Sequence, residues 1–120
     1  MKLMVTGSRT WDLVPVISKH FYWFTRGWDE VTLIEGGAQG ADAIARGYGL
    51  ANGWEIHTFL PDYKTHGPGA PHVRNQKMVD QKPDLVLAYV RDMSAGTVST
   101  IQKAFKSGLL VRPFYYEDYV

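Results

Sequence analysis

The sequence predicts an α/β fold, a single doubly wound, Rossmann-like domain of about five parallel strands flanked by helices and spanning residues 1–120. Three observations predict it. Segments that read as strands alternate with segments that read as helices along the whole chain, the order of a parallel sheet built from right-handed crossovers. The strand segments, such as Leu3-Met4-Val5 and Leu85-Val86-Leu87-Ala88, are continuous apolar runs, as expected of strands covered on both faces. Glycine-bearing turns follow the strands and open the next helix, at Gly7, at Gly36-Gly37 and at Gly96.

Each element follows in order. Leu3 to Val5 is the first strand, ending in the turn Thr6-Gly7-Ser8-Arg9. Leu13 to Trp28 reads as a helix, with Val16, Ile17, His20, Phe21 and Phe24 on one face, Pro15 in its first turn and Gly27 at its end. Val31 to Ile34 is the second strand, and Ala41 to Asn52 the second helix, stopped by Asn52-Gly53. Trp54 to Phe59 is the third strand, where His57 reads as a packed or edge residue. Residues 60 to 71 carry Pro61, Gly67, Pro68, Gly69 and Pro71 and read as a long loop, a kind that is often functional. His72 to Gln81 is a short helix, Asp84 to Tyr89 the fourth strand, and Arg91 to Ala95 a loop. Gly96 to Ser107 is a helix stopped by Gly108, and Leu109 to Arg112 is the fifth strand, ended by Pro113.

The bulk composition narrows the function classes. Hydrophobic residues make up 45% of 120 residues, enough for a core without covalent staples, and no internal repeat or low-complexity tract divides the chain. There is no cysteine, which excludes disulfides and thiolate metal sites and fits a reducing cytoplasm, the expected location. No apolar stretch approaches a membrane span and the N-terminal apolar run is too short for a signal peptide. With 13 basic and 12 acidic residues, the net charge of +1 gives no general attraction to duplex DNA.

Four loops leave the carboxyl ends of successive strands, where parallel sheets bind ligands. The first, Gly7-Ser8-Arg9 with Trp11 behind it, offers a hydroxyl and a bidentate guanidinium to phosphate. The second, Glu35-Gly36-Gly37-Ala38-Gln39-Gly40-Ala41-Asp42, is expected to leave backbone N–H groups free at a helix N-terminus as an anion site. It is neither a P-loop nor a dinucleotide fingerprint, because no Gly-Lys-Ser/Thr follows and G-x-G-x-x-G is absent. Asp42 either complements the helix dipole or orients the loop or a ligand hydroxyl. The third contributes Arg74 and Asn75 in the first turns of a helix, where a cation is electrostatically misplaced unless an anion faces it. The fourth, Ser94-Ala95-Gly96-Thr97, opens another helix, with Thr97 as cap or phosphate donor. Phosphate is thus assigned to Gly7, Ser8, Arg9, Gly36, Gly37, Ala38, Gln39, Gly40, Arg74, Gly96 and Thr97, and ribose or base to Trp11, Gln39, Asp42 and Asn75. No metal site and no required cofactor are expected.

The set Gly7-Ser8-Arg9-x-Trp11, Gly36 to Asp42, Arg74-Asn75-x-x-Met78 and Gly96-Thr97 resembles the SLOG superfamily, and most closely its small YspA/YpsA-related branch. The resemblance covers nearly the whole chain. It implies a Rossmann-like domain that binds a nucleotide or nucleotide-derived (NAD/ADP-ribose-like) ligand at these loops, as a sensor or sequestering protein. Members occur in phages and bacteria. Two relatives frame alternatives. LOG-type phosphoribohydrolases, which cleave the N-glycosidic bond of nucleoside monophosphates, are similar at Arg74-x-x-x-Met78 and Gly96-Thr97. Their catalytic glutamate in Gly-Thr-x-x-Glu falls here on Thr100, which cannot act as a carboxylate, so the resemblance favours binding over hydrolysis. Glu35, Asp42, Asp62 and Asp92 are the acids that would have to substitute. DprA-type proteins share the Gly-Ser-Arg turn, which implies single-stranded nucleic-acid binding as a further alternative, with Arg9, Arg46, Lys64, Arg74 and Lys77 as cations and Trp11 and Tyr63 as stacking rings. The aromatic run Phe21-Tyr22-Trp23-Phe24 and the tail Phe114 to Tyr119 exceed what one buried face needs and predict a homodimer or higher homo-oligomer.

Overall fold

The computed structural model describes residues 1–92 and 94–120, and of Ala95 the backbone only. Five strands form one parallel sheet: β1 (Lys2–Gly7), β2 (Thr32–Glu35), β3 (Glu55–Thr58), β4 (Leu85–Val90) and β5 (Val111–Tyr115), in the order β3-β2-β1-β4-β5. The helices are α1 (Val14–Thr25), α2 (Ala41–Ala51), the single turn α3 (Tyr63–His66), α4 (Ala70–Asp80) and α5 (Ala95–Lys106). β1 lies at the centre, with Leu3 opposite both Leu33 and Leu85. The chain winds outward from β1 to β3, then crosses back to β4 on the other side of β1. The strand order therefore reverses between β1 and β4, and a crevice opens there at the carboxyl ends.

The apolar runs work because alternate strand residues feed two cores. Leu3, Val5, Leu33, Leu85 and Leu87 pack with Ile17 and Phe21 of α1 and Ala41 and Ala45 of α2. Met4, Ile34 and Val86 pack on the opposite face with Met78 and Val79 of α4 and Ala104 of α5. β4 is buried along its whole length, which is why no residue from Leu85 to Val90 is charged.

Three expected boundaries differ. α1 stops at Thr25 rather than Trp28, because the chain turns through Gly27 at φ +86°. The segment 60–71 is not all loop: Asp62 caps the turn of α3 by accepting from the Thr65 N–H, a 3-10 turn spans Gly67–Gly69, and α4 begins at Ala70, two residues before His72, with Pro71 in its first turn. β5 runs through Pro113 to Tyr115. Its ladder bond from Val86 N to Leu110 O places Leu110, Arg112 and Phe114 towards β4, so the nitrogen of Pro113 faces the open edge, where a missing donor costs nothing. Within the loop expected at 91–95, Met93 lies outside the described residues.

The aromatic surplus divides between core and surface. Phe21 is buried, while Tyr22 and Trp23 are exposed and the Arg26 guanidinium lies 4.2 Å above the Trp23 ring. The tail, expected to pack across a partner, folds back on its own chain. Phe114 stacks against Tyr89 and His20, and Tyr116 meets the edge of Trp11. His57 is an exposed edge residue paired with Glu55. Among the described residues no helix is long and apolar enough to cross a membrane.

Candidate functional site

A cleft of about 410 Å³ opens at the β1/β4 reversal, within the size range of small-molecule sites. All four loops reach it. Gly7, Ser8 and Arg9 come from the first, Gly36, Ala38 and Asp42 from the second, Arg74 and Asn75 from α4, and Gly96 and Thr97 from the start of α5. Four residues of the expected set stay out of the lining. Gly37 and Gly40 lie behind the wall and Gln39 faces solvent. Trp11, expected at ribose or base, is 1% exposed in the core, its indole N–H donating to the Leu13 carbonyl and its rings packed on Tyr89 and Tyr116. Thr6, Thr10, Pro71, Met78, Asp92, Ser94 and Thr100 complete the wall without having been singled out as its lining from sequence.

The second loop corrects the expectation of a free anion nest. The Gly36 and Ala38 N–H groups donate to Asp42 Oδ2 at 3.2 and 3.3 Å, and the Gly37 N–H donates to Glu35 Oε1 at 2.7 Å. The chain's own carboxylates occupy the nest that a phosphate would have taken. Glu35 is fully buried and also accepts from Arg46 Nη1 at 2.8 Å and from the Thr58 hydroxyl, so each of its oxygens is used. It anchors the loop from below and is not available to a ligand. Asp62 is spent on the α3 cap outside the cleft. Of the four acids considered, Asp42 and Asp92 line the cleft.

The glycines act mainly by letting loops touch. Gly40 has φ +70°, and a Cβ there would run into the Ser8 and Arg9 carbonyls. Gly36 lies under the Arg74 guanidinium, and a Cβ would stand 2.7 Å from Nη1. Arg74 donates from Nη1 to the Gly36 carbonyl at 2.6 Å and to the Phe59 carbonyl at 3.3 Å, and from Nε to Asn75 Oδ1 at 2.7 Å. These acceptors, with the Asp42 carboxylate nearby, compensate a cation near a helix N-terminus. Its Nη2 makes no hydrogen bond among the described residues. Arg9 is exposed at the cleft mouth and makes no side-chain hydrogen bond among the described residues.

The first and fourth loops are tied together. Ser8 Oγ accepts from the Arg91 N–H at 2.9 Å and the Asp92 N–H at 3.2 Å and donates to the Asp92 carbonyl at 3.3 Å. The hydroxyl expected on phosphate is therefore a clamp between β1 and β4. Ser94 caps α5 by accepting from the Thr97 N–H, and the Thr97 hydroxyl pairs with Ser94 Oγ at 3.0 Å. Thr100, one helical turn on, is 1% exposed and donates back to the Gly96 carbonyl at 3.0 Å. Its hydroxyl is tied to its own helix at the place where the phosphoribohydrolase pattern carries an acid.

Asp42 is the most perturbed acid of the cleft. Burial pushes its carboxyl up to about 6, the Glu35 carboxylate adds to the rise, and the Ala38 and Gly36 N–H groups and Arg74 oppose it. Because the folded state holds this proton more tightly than the unfolded chain, the associated stability is full below 3.8 and is lost as pH rises through about 6. Asp42→Asn should abolish that dependence. The stability difference between wild type and variant is expected to shift against the wild type by about 2 kcal/mol between pH 4 and pH 7 in urea unfolding. A constant difference across that range would place the titration elsewhere.

Comparison with known proteins gives a likeness in fold and a match in family. DNA processing protein A (DprA) from Streptococcus pneumoniae superposes with a TM-score of 0.74 at 19% sequence identity, covering 93% of this chain and 49% of that one. That likeness shows the Rossmann-like fold, and this chain spans about half the length of that protein. No curated protein sequence matches the chain. The model of one family, described as YspA, cpYpsA-related SLOG, matches residues 1–66, which hold the first two cleft loops and both carboxylates of the glycine turn. On that match over more than half of its length, the chain belongs to the YspA, cpYpsA-related SLOG family.

Proposed function

We propose that the cleft binds a nucleotide or nucleotide-derived phosphate ligand, of the NAD or ADP-ribose kind, and holds it without cleaving it, as a sensor or sequestering protein. The observation that carries this reading is the convergence of Arg9, Arg74 and the N-terminal turn of α5 at Gly96-Thr97 on one cleft at the strand-order reversal. Two guanidiniums and a helix N-terminus are a complement to phosphate. The glycine turn, its N–H groups spent on carboxylates, supplies shape and an acid rather than the phosphate cradle.

Thr100 supports binding without hydrolysis. A threonine whose proton is committed to the Gly96 carbonyl offers no negative charge to an oxocarbenium-like sugar. Incubation with the four ribonucleoside 5′-monophosphates and with NAD is expected to give saturable binding by calorimetry and no released base by chromatography. Base release that disappears in Arg74→Ala would establish the hydrolase instead. Membership of a nucleotide-linked family and the fold shared with a DNA processing protein also support an oligonucleotide as ligand. Tight, salt-sensitive binding of single strands without binding of mononucleotides would favour it.

A further inference from the structure

We propose that Asp42 is the specificity-determining residue of the cleft, its Oδ1 accepting a hydrogen bond from a neutral sugar hydroxyl and so selecting ligands with a free ribose diol over deoxyribose and ribose-phosphorylated ones. The inference rests on the cleft being a nucleotide site. Asp42 Oδ1 is the one buried side-chain polar atom, among the described residues, that has no hydrogen-bond partner, and Asp42 lines the cleft while being only 7% exposed. Its other oxygen is held by the Gly36 and Ala38 N–H groups, which fix the carboxylate in place. A buried oxygen left unpaired is costly, and the cost is recovered when a ligand donor arrives.

The surrounding charges say which donor fits. Glu35 faces Asp42 from β2 and is matched by Arg46 of α2, and Arg74 faces it from α4. Arg9 from the first loop and Asp92 from the loop after β4 lie further around the same cleft. The two inner carboxylates and two inner guanidiniums balance. A cationic donor would compete with Arg74, and a phosphate would meet the Asp42 carboxylate with the buried Glu35 carboxylate behind it. A neutral hydroxyl adds a charge-assisted bond without disturbing the balance. Protonation near the raised value of the Asp42 carboxyl weakens its acceptor strength, so the ribose preference should fade in mild acid.

The test compares the four ribonucleoside 5′-monophosphates with their 2′-deoxy, 3′-deoxy and 3′-phosphorylated counterparts by calorimetry on the wild-type chain at pH 7.5 and pH 5. The ribonucleotides are expected to bind roughly tenfold tighter than the deoxy forms at pH 7.5, with the 3′-phosphorylated forms weaker still. The ratio should shrink to within about threefold at pH 5 and in Asp42→Asn. The ratio is read on the wild-type chain, so the inference does not depend on how the variant folds, and both ligands of each pair share the same 5′-phosphate titration. Equal binding of ribo and deoxy forms, with affinity still dependent on Arg9 and Arg74, would overturn this inference and leave the nucleotide site standing. Absence of any mononucleotide binding would overturn both.

Discussion

Arg74→Ala is expected to weaken nucleoside monophosphate binding by about a hundredfold or more, and to lower stability by about 2–4 kcal/mol. The two effects have different origins. Nη1 and Nε join the Gly36 and Phe59 carbonyls and Asn75 Oδ1, so one guanidinium ties the second loop, the end of β3 and α4 together. Its removal leaves the part-buried carbonyls short of a donor and takes away a cation beside Asp42. The affinity loss comes from Nη2, the part of the group left to a phosphate. Arg74→Lys separates them: a lysine keeps the charge but cannot reach three acceptors and a ligand at once. It should recover part of the affinity and little of the stability. Calorimetry and urea unfolding on the same preparations measure both, and an alanine variant with unchanged affinity would remove Arg74 from the site.

Gly40→Ala, behind the cleft wall, is expected to be strongly destabilising, by about 3 kcal/mol or more. At φ +70° and ψ −125° the backbone is in a region closed to residues with a Cβ, and the added methyl would overlap the Ser8 and Arg9 carbonyls. The first loop cannot retreat easily, because Ser8 is clamped to Arg91 and Asp92 and its carbonyl accepts from the Ala41 N–H at 3.3 Å. Gly47→Ala, in α2 where no atom lies within 4 Å of a new Cβ, serves as the control and is expected to be neutral or stabilising. Thermal unfolding distinguishes the pair, and equal melting temperatures would mean that loops 1 and 2 are not in contact as described.

The strand and helix order was legible because the chain's apolar runs have one physical explanation, burial on both faces of a parallel sheet. What escaped was where polar groups spend their bonds. Gly36 to Ala38 look like a bare nest in sequence, yet Asp42 and Glu35 lie within a few residues and reach back to those N–H groups, a local competition that short acidic side chains near a glycine turn often win. Ser8 looked like a phosphate donor because its partners, Arg91 and Asp92, are more than eighty residues away and are brought to it only by β1–β4 pairing. Trp11 follows a polar turn and reads as a ring for a ribose or base, but the C-terminal tail, packing Tyr116 and Tyr119 onto it, closes the core above. Pro113 read as a stop because edge position and strand phase are not visible in one strand's sequence. Arg9, Arg74, Asp42, Asn75 and the Gly96-Thr97 turn lie around one cleft, as expected where the loops after parallel strands meet at one edge.

The measurement that bears most directly on the nucleotide cleft is a titration of the 15N-labelled chain with a ribonucleoside 5′-monophosphate, followed by amide and guanidinium resonances. The account predicts saturable shifts at Arg9, Gly36, Ala38, Gly96 and Thr97 and at the Arg74 Nε–H, the residues and group that line one cleft, with Trp11 and the Tyr22-Trp23 surface unmoved. Shifts confined to that aromatic surface, or no saturable shift with any of the four nucleotides, would contradict it.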